Sequence, residues 1–256
     1  MSKTPAAYDY GTIPVGYYDR IFRGPKGIRR LWHVSKFERV LDCLPEEDGG
    51  SLLDIGCFAG TFLSVVPRYR FDRQLGIDIL PEQIDYATHH HSAPFREFRH
   101  ALVSDIVKTG EQFDCVTLIE VIEHLERPAV AELLSGIWKV LKPGGRFILT
   151  TPNYGSMWPV IELALNRMSD VKYEEQHITK FSFFNLELQL QSIEPQIWNR
   201  FDLKLKTTTH FVTPFMAAVS YELARGLSRA LPHSKWRHPA GNLILTILEK
   251  RESHEP

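Results

Sequence analysis

Apolar and polar positions along the chain fall into two alternating kinds of segment. Ser51–Ile55 (SLLDI), Gln74–Ile79 (QLGIDI) and Phe113–Ile119 (FDCVTLI) are short, nearly continuous apolar runs, the pattern of strands buried on both faces. Between them the apolar residues recur at helical spacing. Ile28–Leu44 places Leu31, Val34, Phe37, Val40, Leu41 and Leu44 on one face and is ended by Pro45–Gly50. Pro81–Thr88 and Ala129–Leu141 are the next helices, the second stopped by Lys142-Pro143-Gly144-Gly145 before a strand over Arg146–Thr151. Phe95–Val103 holds the third strand, on a weak pattern. Strands alternating with helices predict an α/β fold with a parallel sheet covered on both faces.

After Asn153 the pattern changes. Trp158–Met168 is a helix with Trp158, Ile161, Leu165 and Met168 on one face, residues 173–182 form a polar loop, and Asn185–Ile193 is another helix. This stretch reads as an insertion roofing a substrate pocket. Phe201–Lys206 and Asn242–Lys250 are strands separated by residues 207–241, far more than a hairpin turn needs. Within that excursion, Phe211–Leu231 interleaves large apolar residues with Arg225 and Arg229. It is expected to bury against the sheet edge or a second subunit, with a membrane surface as the competing reading. At the other end, Met1–Pro14 carries Tyr8 and Tyr10, with Tyr17 and Tyr18 just beyond. That segment is expected to pack on the domain and partly close over a ligand. The resulting division is an N-terminal segment and helix over 1–50, a cofactor-binding core over 51–151, a cap over 152–200, and edge strands with their insertion over 201–256.

The stretch that carries chemistry is Ser51–Phe62, where a strand runs through Asp54 into Gly56-Cys57-Phe58-Ala59-Gly60 and then a helix. Strand, glycine turn and helix aim backbone N–H groups at a ligand. A dinucleotide turn needs glycine where Phe58 and Thr61 stand, and a P-loop needs a lysine that is missing here. What remains is a nucleoside without phosphate and with a cationic or amino-acid tail, for which Asp54 is a suitable partner; that describes S-adenosylmethionine. Asp78, ending the second strand, is placed to bind ribose hydroxyls, the rival role being the cap of the helix that follows at Pro81. His89, His90 and His91 read as a solvated helix end.

The sequence D-I-G-C-F-A-G resembles the first motif of class I S-adenosylmethionine-dependent methyltransferases. Leu75–Asp78, Phe113–His124 and the Leu141–Gly145 turn extend the likeness in order over most of Ser51–Asn153. The resemblance implies a Rossmann-like, mostly parallel sheet of seven strands with a reversed edge strand. It also implies S-adenosylmethionine as cofactor, lying against Asp54, Gly56, Cys57, Gly60, Asp78, Ile79, Ile119 and Glu120, with Asp105 as the candidate for the adenine amino group. Glu120-Val121-Ile122-Glu123-His124 resembles the E-x-x-E-H of ubiquinone-biosynthesis O-methyltransferases and of small-RNA 2′-O-methyltransferases. In the RNA enzymes this motif and a later histidine hold a divalent metal. By that likeness Glu120, Glu123, His124 and His177 are candidate ligands for Mg²⁺ or Mn²⁺. The other reading makes His177, then His124, the base that takes a hydroxyl proton.

The rest of the composition narrows the partners. The chain has 256 residues and a formal net charge of −1. No basic tract stands out, which argues against RNA or DNA as acceptor and leaves a small, glycan- or lipid-linked molecule, with peripheral membrane contact as an option. Cys43, Cys57 and Cys115 are far apart without a CxxC partner and read as reduced core thiols of a cytoplasmic protein. The first residues show no apolar signal core. Three rival readings are kept: a non-catalytic S-adenosylmethionine-binding protein, a metal-dependent enzyme acting on RNA, and a nicotinamide oxidoreductase, against which Phe58 argues.

Overall fold

The computed structural model describes residues 13–168, 177–230 and 238–252. Helices α1 (Tyr17–Arg23) and α2 (Ile28–Leu41) precede strand β1 (Ser51–Ile55). Then follow α3 (Thr61–Val65), β2 (Arg73–Asp78), α4 (Pro81–His91), β3 (Arg96–His100), α5 (Val103–Thr109), β4 (Phe113–Ile119), α6 (Arg127–Val140) and β5 (Leu141–Pro152). The remainder is α7 (Trp158–Met168), α8 (Leu186–Ile193), α9 (Ile197–Arg200), β6 (Phe201–Thr209), α10 (Thr213–Met216), α11 (Tyr221–Ala230) and β7 (Leu243–Lys250).

The strands form one seven-stranded sheet in the order β3-β2-β1-β4-β5-β7-β6, with β7 antiparallel to both its neighbours. β1 lies at the centre, Leu53 facing Leu75 on one side and Val116 on the other. Because side chains alternate along a strand, the two faces bury different sets. Leu53, Leu75 and Val116 pack with α5, α6 and α8, through residues such as Ile106, Leu134 and Leu190. Leu52, Cys115 and Ile148 pack with α2, α3 and α4, through Phe37, Phe62 and Ile84. The three cysteines are buried and unlinked. No helix among the described residues is long and apolar enough to cross a membrane.

The course of the chain departs from expectation in several places. β6 continues to Thr209, because Thr207, Thr208 and Thr209 pair with Leu245, Ile244 and Leu243 of β7. The Phe211–Leu231 stretch holds two helices, α10 and α11, and its described part packs on α2 rather than on the sheet edge: Leu31 is buried with Ala217, Tyr221 and Ala224. Glu38 of α2 accepts from Arg225 and Arg229 at 2.8 and 2.7 Å, fixing that contact. α4 extends through the histidines, and His91 is no solvated end, since it lies 3.2 Å from buried Asp19. Tyr8, Tyr10, Leu231 and the 173–176 part of the cap loop lie outside the described residues.

β6 runs parallel to β5, so its last residues and the first residues of β7 sit beside Pro152, the C-terminal end of β5. The excursion between β6 and β7 therefore leaves and rejoins the sheet at the edge where the parallel strands end, which in open α/β sheets is the ligand edge.

Candidate active site

At that edge the ends of β1, β2 and β4, the face of α2 and the start of α7 enclose a cavity of about 890 Å³. Its floor is the turn after β1. Gly56 takes φ +71°, and a Cβ there would stand 2.5 Å from the Val121 side chain; Gly60 takes φ +73°, with a Cβ 2.7 Å from Phe98. Both positions need glycine for space as well as for conformation. Phe58 also adopts a positive φ, +48°, which costs a non-glycine residue strain. The strain is opposed by its N–H, which donates to Oδ2 of Asp78 at 2.8 Å, and by the ring of Tyr18 in α1, 5.3 Å away.

Asp78 holds two main-chain donors, since Oδ1 accepts from Leu80 N–H at 3.0 Å as the chain enters α4. The two roles weighed from sequence are thus not exclusive: each carboxylate oxygen has a second lone pair, and the residue lines the cavity. Burial pushes its carboxyl up and these backbone bonds oppose the push. Asp54, one strand over, is buried and accepts from Thr117 Oγ1 at 2.7 Å. Burial, with Asp78 nearby, raises it to about 7 against that hydrogen bond. A buried carboxyl so placed suits a cationic group arriving in the cavity. The Cys57 thiol is pushed well up by burial; Ile79 and Ile119 line the wall.

The structure does not bring Asp105 to this cavity. It sits in the first turn of α5, where its carboxylate accepts from Leu102 N–H at 3.0 Å and meets Lys108 at 2.8 Å. The spacing toward β3 misled because the chain enters a helix there, and an aspartate in a first turn satisfies the helix's own orphan donors.

Glu120 follows β4 at φ +53° and forms an ion pair with Lys36 of α2, side chains 19% and 6% exposed. Burial alone would lift the Glu120 carboxyl; Lys36 outweighs it and holds it down at about 2. Its tie to Lys36 takes Glu120 out of the ligand set expected from E-x-x-E-H. Among the described residues, the cluster able to hold an ion consists of Glu123, His124 and His177, with one ligand atom from each within 4.8 Å of the others. His33, one turn before Lys36, also lines the cavity; burial and the Lys36 charge lower it to about 3, so it is neutral.

A short turn over Ile122–His124 follows Glu120. Glu123 is wholly buried, with Oε2 accepting from Thr151 Oγ1 at 3.0 Å, and burial, then the Glu120 charge, raises it to about 8. Its main-chain carbonyl accepts from Ile178 and Thr179 N–H at 2.8 and 3.0 Å. Those two bonds dock the returning cap and set the His177 ring 5.1 Å from that of His124. Behind His177, Glu162 of α7 places Oε1 2.5 Å from Nδ1, and the Tyr154 hydroxyl donates to the same carboxylate at 2.7 Å. Burial would raise Glu162, but His177 and Tyr154 keep it below its usual value and ionised. An ionised carboxylate at Nδ1 fixes the N–H there and makes Nε2 the basic nitrogen. Trp158 and Trp32, 5.3 Å apart, bridge α7 and α2 beside it.

Lys36, His33, Glu162 and Tyr154 were not singled out from the sequence. Lys36 and His33 fall between the apolar positions of α2, the signal that could have marked them; Glu162 had no signal beyond being an acid in an apolar helix.

The strand order, the reversed β7 and the glycine turn at the ligand edge define the Rossmann-like fold of class I methyltransferases. Residues 29–194 match the methyltransferase-domain family, and the chain belongs to that family. It is 33% identical over 122 residues to the ubiquinone biosynthesis O-methyltransferase of Cereibacter sphaeroides, 47% of this chain and 48% of that one. The counterpart in Roseobacter denitrificans is 32% identical over 122 residues, with the same coverage. The chain thus spans about half the length of the curated relatives it matches. Among solved structures it is similar to the N-methyltransferase NodS from Bradyrhizobium japonicum, solved with S-adenosyl-l-homocysteine: TM-score 0.54, 14% identity, 92% of this chain and 97% of that one. A SAM-dependent methyltransferase from Archaeoglobus fulgidus gives TM-score 0.57 at 18% identity, over 94% of this chain and 100% of that one.

Proposed function

We propose that the protein transfers a methyl group from S-adenosylmethionine to a hydroxyl of a small, glycan- or lipid-linked acceptor, with His177 taking the hydroxyl proton. The observation that carries this reading is the 2.5 Å contact between His177 Nδ1 and Glu162 beside the cavity. In the domain division, 51–151 holds the cofactor and 152–200 supplies the acceptor's side.

The residues fit the cofactor: a turn that brings Gly56 to the cavity wall, buried Asp54 for a cationic tail, Asp78 for a diol. When bound, it supplies a methyl group already activated on a sulfonium. The chain's own part is to align the acceptor and remove its proton. Glu162 holds the His177 ring, Nε2 accepts the acceptor's O–H proton, and the imidazolium formed is stabilised by the carboxylate at Nδ1.

One observation favours a second reading. Glu123, His124 and His177 can meet at one ion, and Glu162 behind His177 is the outer partner that ligating histidines use. In that case Mg²⁺ or Mn²⁺ would polarise the acceptor oxygen. Turnover measured on hydroxylated quinone, sugar and lipid pools, with and without EDTA, separates the two. Indifference to EDTA with a loss of about 10²–10⁴-fold in His177→Ala supports the direct base. EDTA inactivation reversed by Mn²⁺ supports the ion. Binding of S-adenosylhomocysteine with no turnover on any pool would leave the non-catalytic reading, and no binding would remove the assignment.

A further inference from the structure

The excursion between β6 and β7 has two faces. One, with Tyr221, Ala224 and Ser228, is buried on α2. The other carries Val212, Phe215, Val219, Leu223 and Leu227 into water, Val219 at 92% and Leu223 at 64% exposure. Scattered exposed apolar residues need no explanation, but a continuous set does, and these recur every three or four residues. The set is also continuous with the cavity: Phe215 and Ile28 are exposed and line its mouth.

The same mouth is bordered by the most basic stretch of the chain. Arg20, Arg23, Lys26, Arg29 and Arg30 occur within eleven residues with no acid among them, in a chain of formal net charge −1. The fold lays this stretch beside the excursion, since Lys26 pairs with Glu222 of α11, and Ile28 and Arg29 line the cavity together with Phe215. Apolar side chains flanked by cations around a pocket entrance match an anionic lipid surface, where the apolar groups enter the acyl boundary and the cations meet the headgroups.

We infer that this face seats on an anionic bilayer, so that the cavity opens toward the lipid and receives a membrane-borne acceptor. The inference rests on the methyl-transfer reading for the identity of the cavity's occupant.

The test is flotation of the full chain with phosphatidylcholine vesicles, with and without phosphatidylglycerol, beside light scattering and S-adenosylhomocysteine calorimetry. The wild type is expected to float with the phosphatidylglycerol vesicles and to be released by salt. Val219→Glu/Leu223→Glu, two exposed positions outside the cavity, is expected to lower the bound fraction roughly tenfold with melting temperature and S-adenosylhomocysteine affinity unchanged. Failure of the wild type to float, or undiminished flotation of the double variant, overturns the inference. So does a dimer mass that the double variant reduces to monomer without flotation, which would make the face a subunit interface. Loss of S-adenosylhomocysteine binding in the wild type would instead count against the methyl-transfer reading.

Discussion

The main-chain N–H of Phe58 donates to the carboxylate of Asp78 at 2.8 Å, joining the turn after β1 to the end of β2. A residue strained at φ +48° is thereby held by a carboxylate that also lines the cavity. Asp78→Ala is expected to lower stability and S-adenosylhomocysteine affinity together, by about 1–3 kcal/mol each. Asp78→Asn keeps an acceptor oxygen and is expected to lose less of the stability than of the affinity. Denaturant melts and calorimetry on the same samples check this.

On the methyl-transfer reading, Asp54 gives cofactor binding a pH dependence. Its carboxyl, raised to about 7 by burial, binds a proton in the empty protein below that pH, and a cationic ligand favours the ionised form. Binding therefore releases a proton, so affinity is expected to rise with pH up to about 7 and to level off above it, a dependence that Asp54→Asn removes. For folding the sign is opposite to that of a paired carboxylate. A raised folded-state value makes the buried group stabilising only when protonated, so Asp54's contribution falls as pH rises from about 4 through 7. Calorimetric titrations from pH 5.5 to about 8.5 and melts over the same range read both effects.

Lys36 and Glu120 form an ion pair almost shut off from solvent. Removing one partner leaves the other charged and buried, a loss of about 3–5 kcal/mol. Lys36→Met is thus expected to be strongly destabilising, and Lys36→Met/Glu120→Gln to recover a large part of the loss. Equal melts for the single and double variants would show that the pair is not coupled.

Glu162 is argued to act through His177, so its removal should not resemble a simple packing defect. Glu162→Gln is expected to lower kcat with KM little changed and to move the acidic limb of the pH–rate profile to lower pH, because the imidazolium loses its counter-charge. Glu162→Asp is expected to restore part of the rate. A pH profile identical to the wild type would assign Glu162 a structural role.

The strands buried on both faces were the most legible part of the sequence. β1 and β4 begin and end where their apolar runs do, and α7 spans the predicted residues. β3 was faint because Arg96–His100 has Phe98 as its one buried side chain, so no alternation announces it. The site divides in the same way. The turn from Gly56 to Gly60 is local and could be read, whereas Lys36 meets Glu120 and Glu162 meets His177 only through the stacking of α2 and α7 on the sheet edge. Asp105 shows the converse: an acid near the expected position is claimed by its own helix. The basic run from Arg20 to Arg30 passed unnoticed because the net charge averages it away.

The antiparallel pairing of β6 with β7 carries a consequence for how such a chain can diversify. The hairpin's open end lies over the cavity, while its two legs pair along their length from Phe201–Lys250 to Thr209–Leu243. Segments of other lengths and chemistries can be spliced there as interchangeable modules, altering what the enclosed site admits while every strand keeps its neighbour.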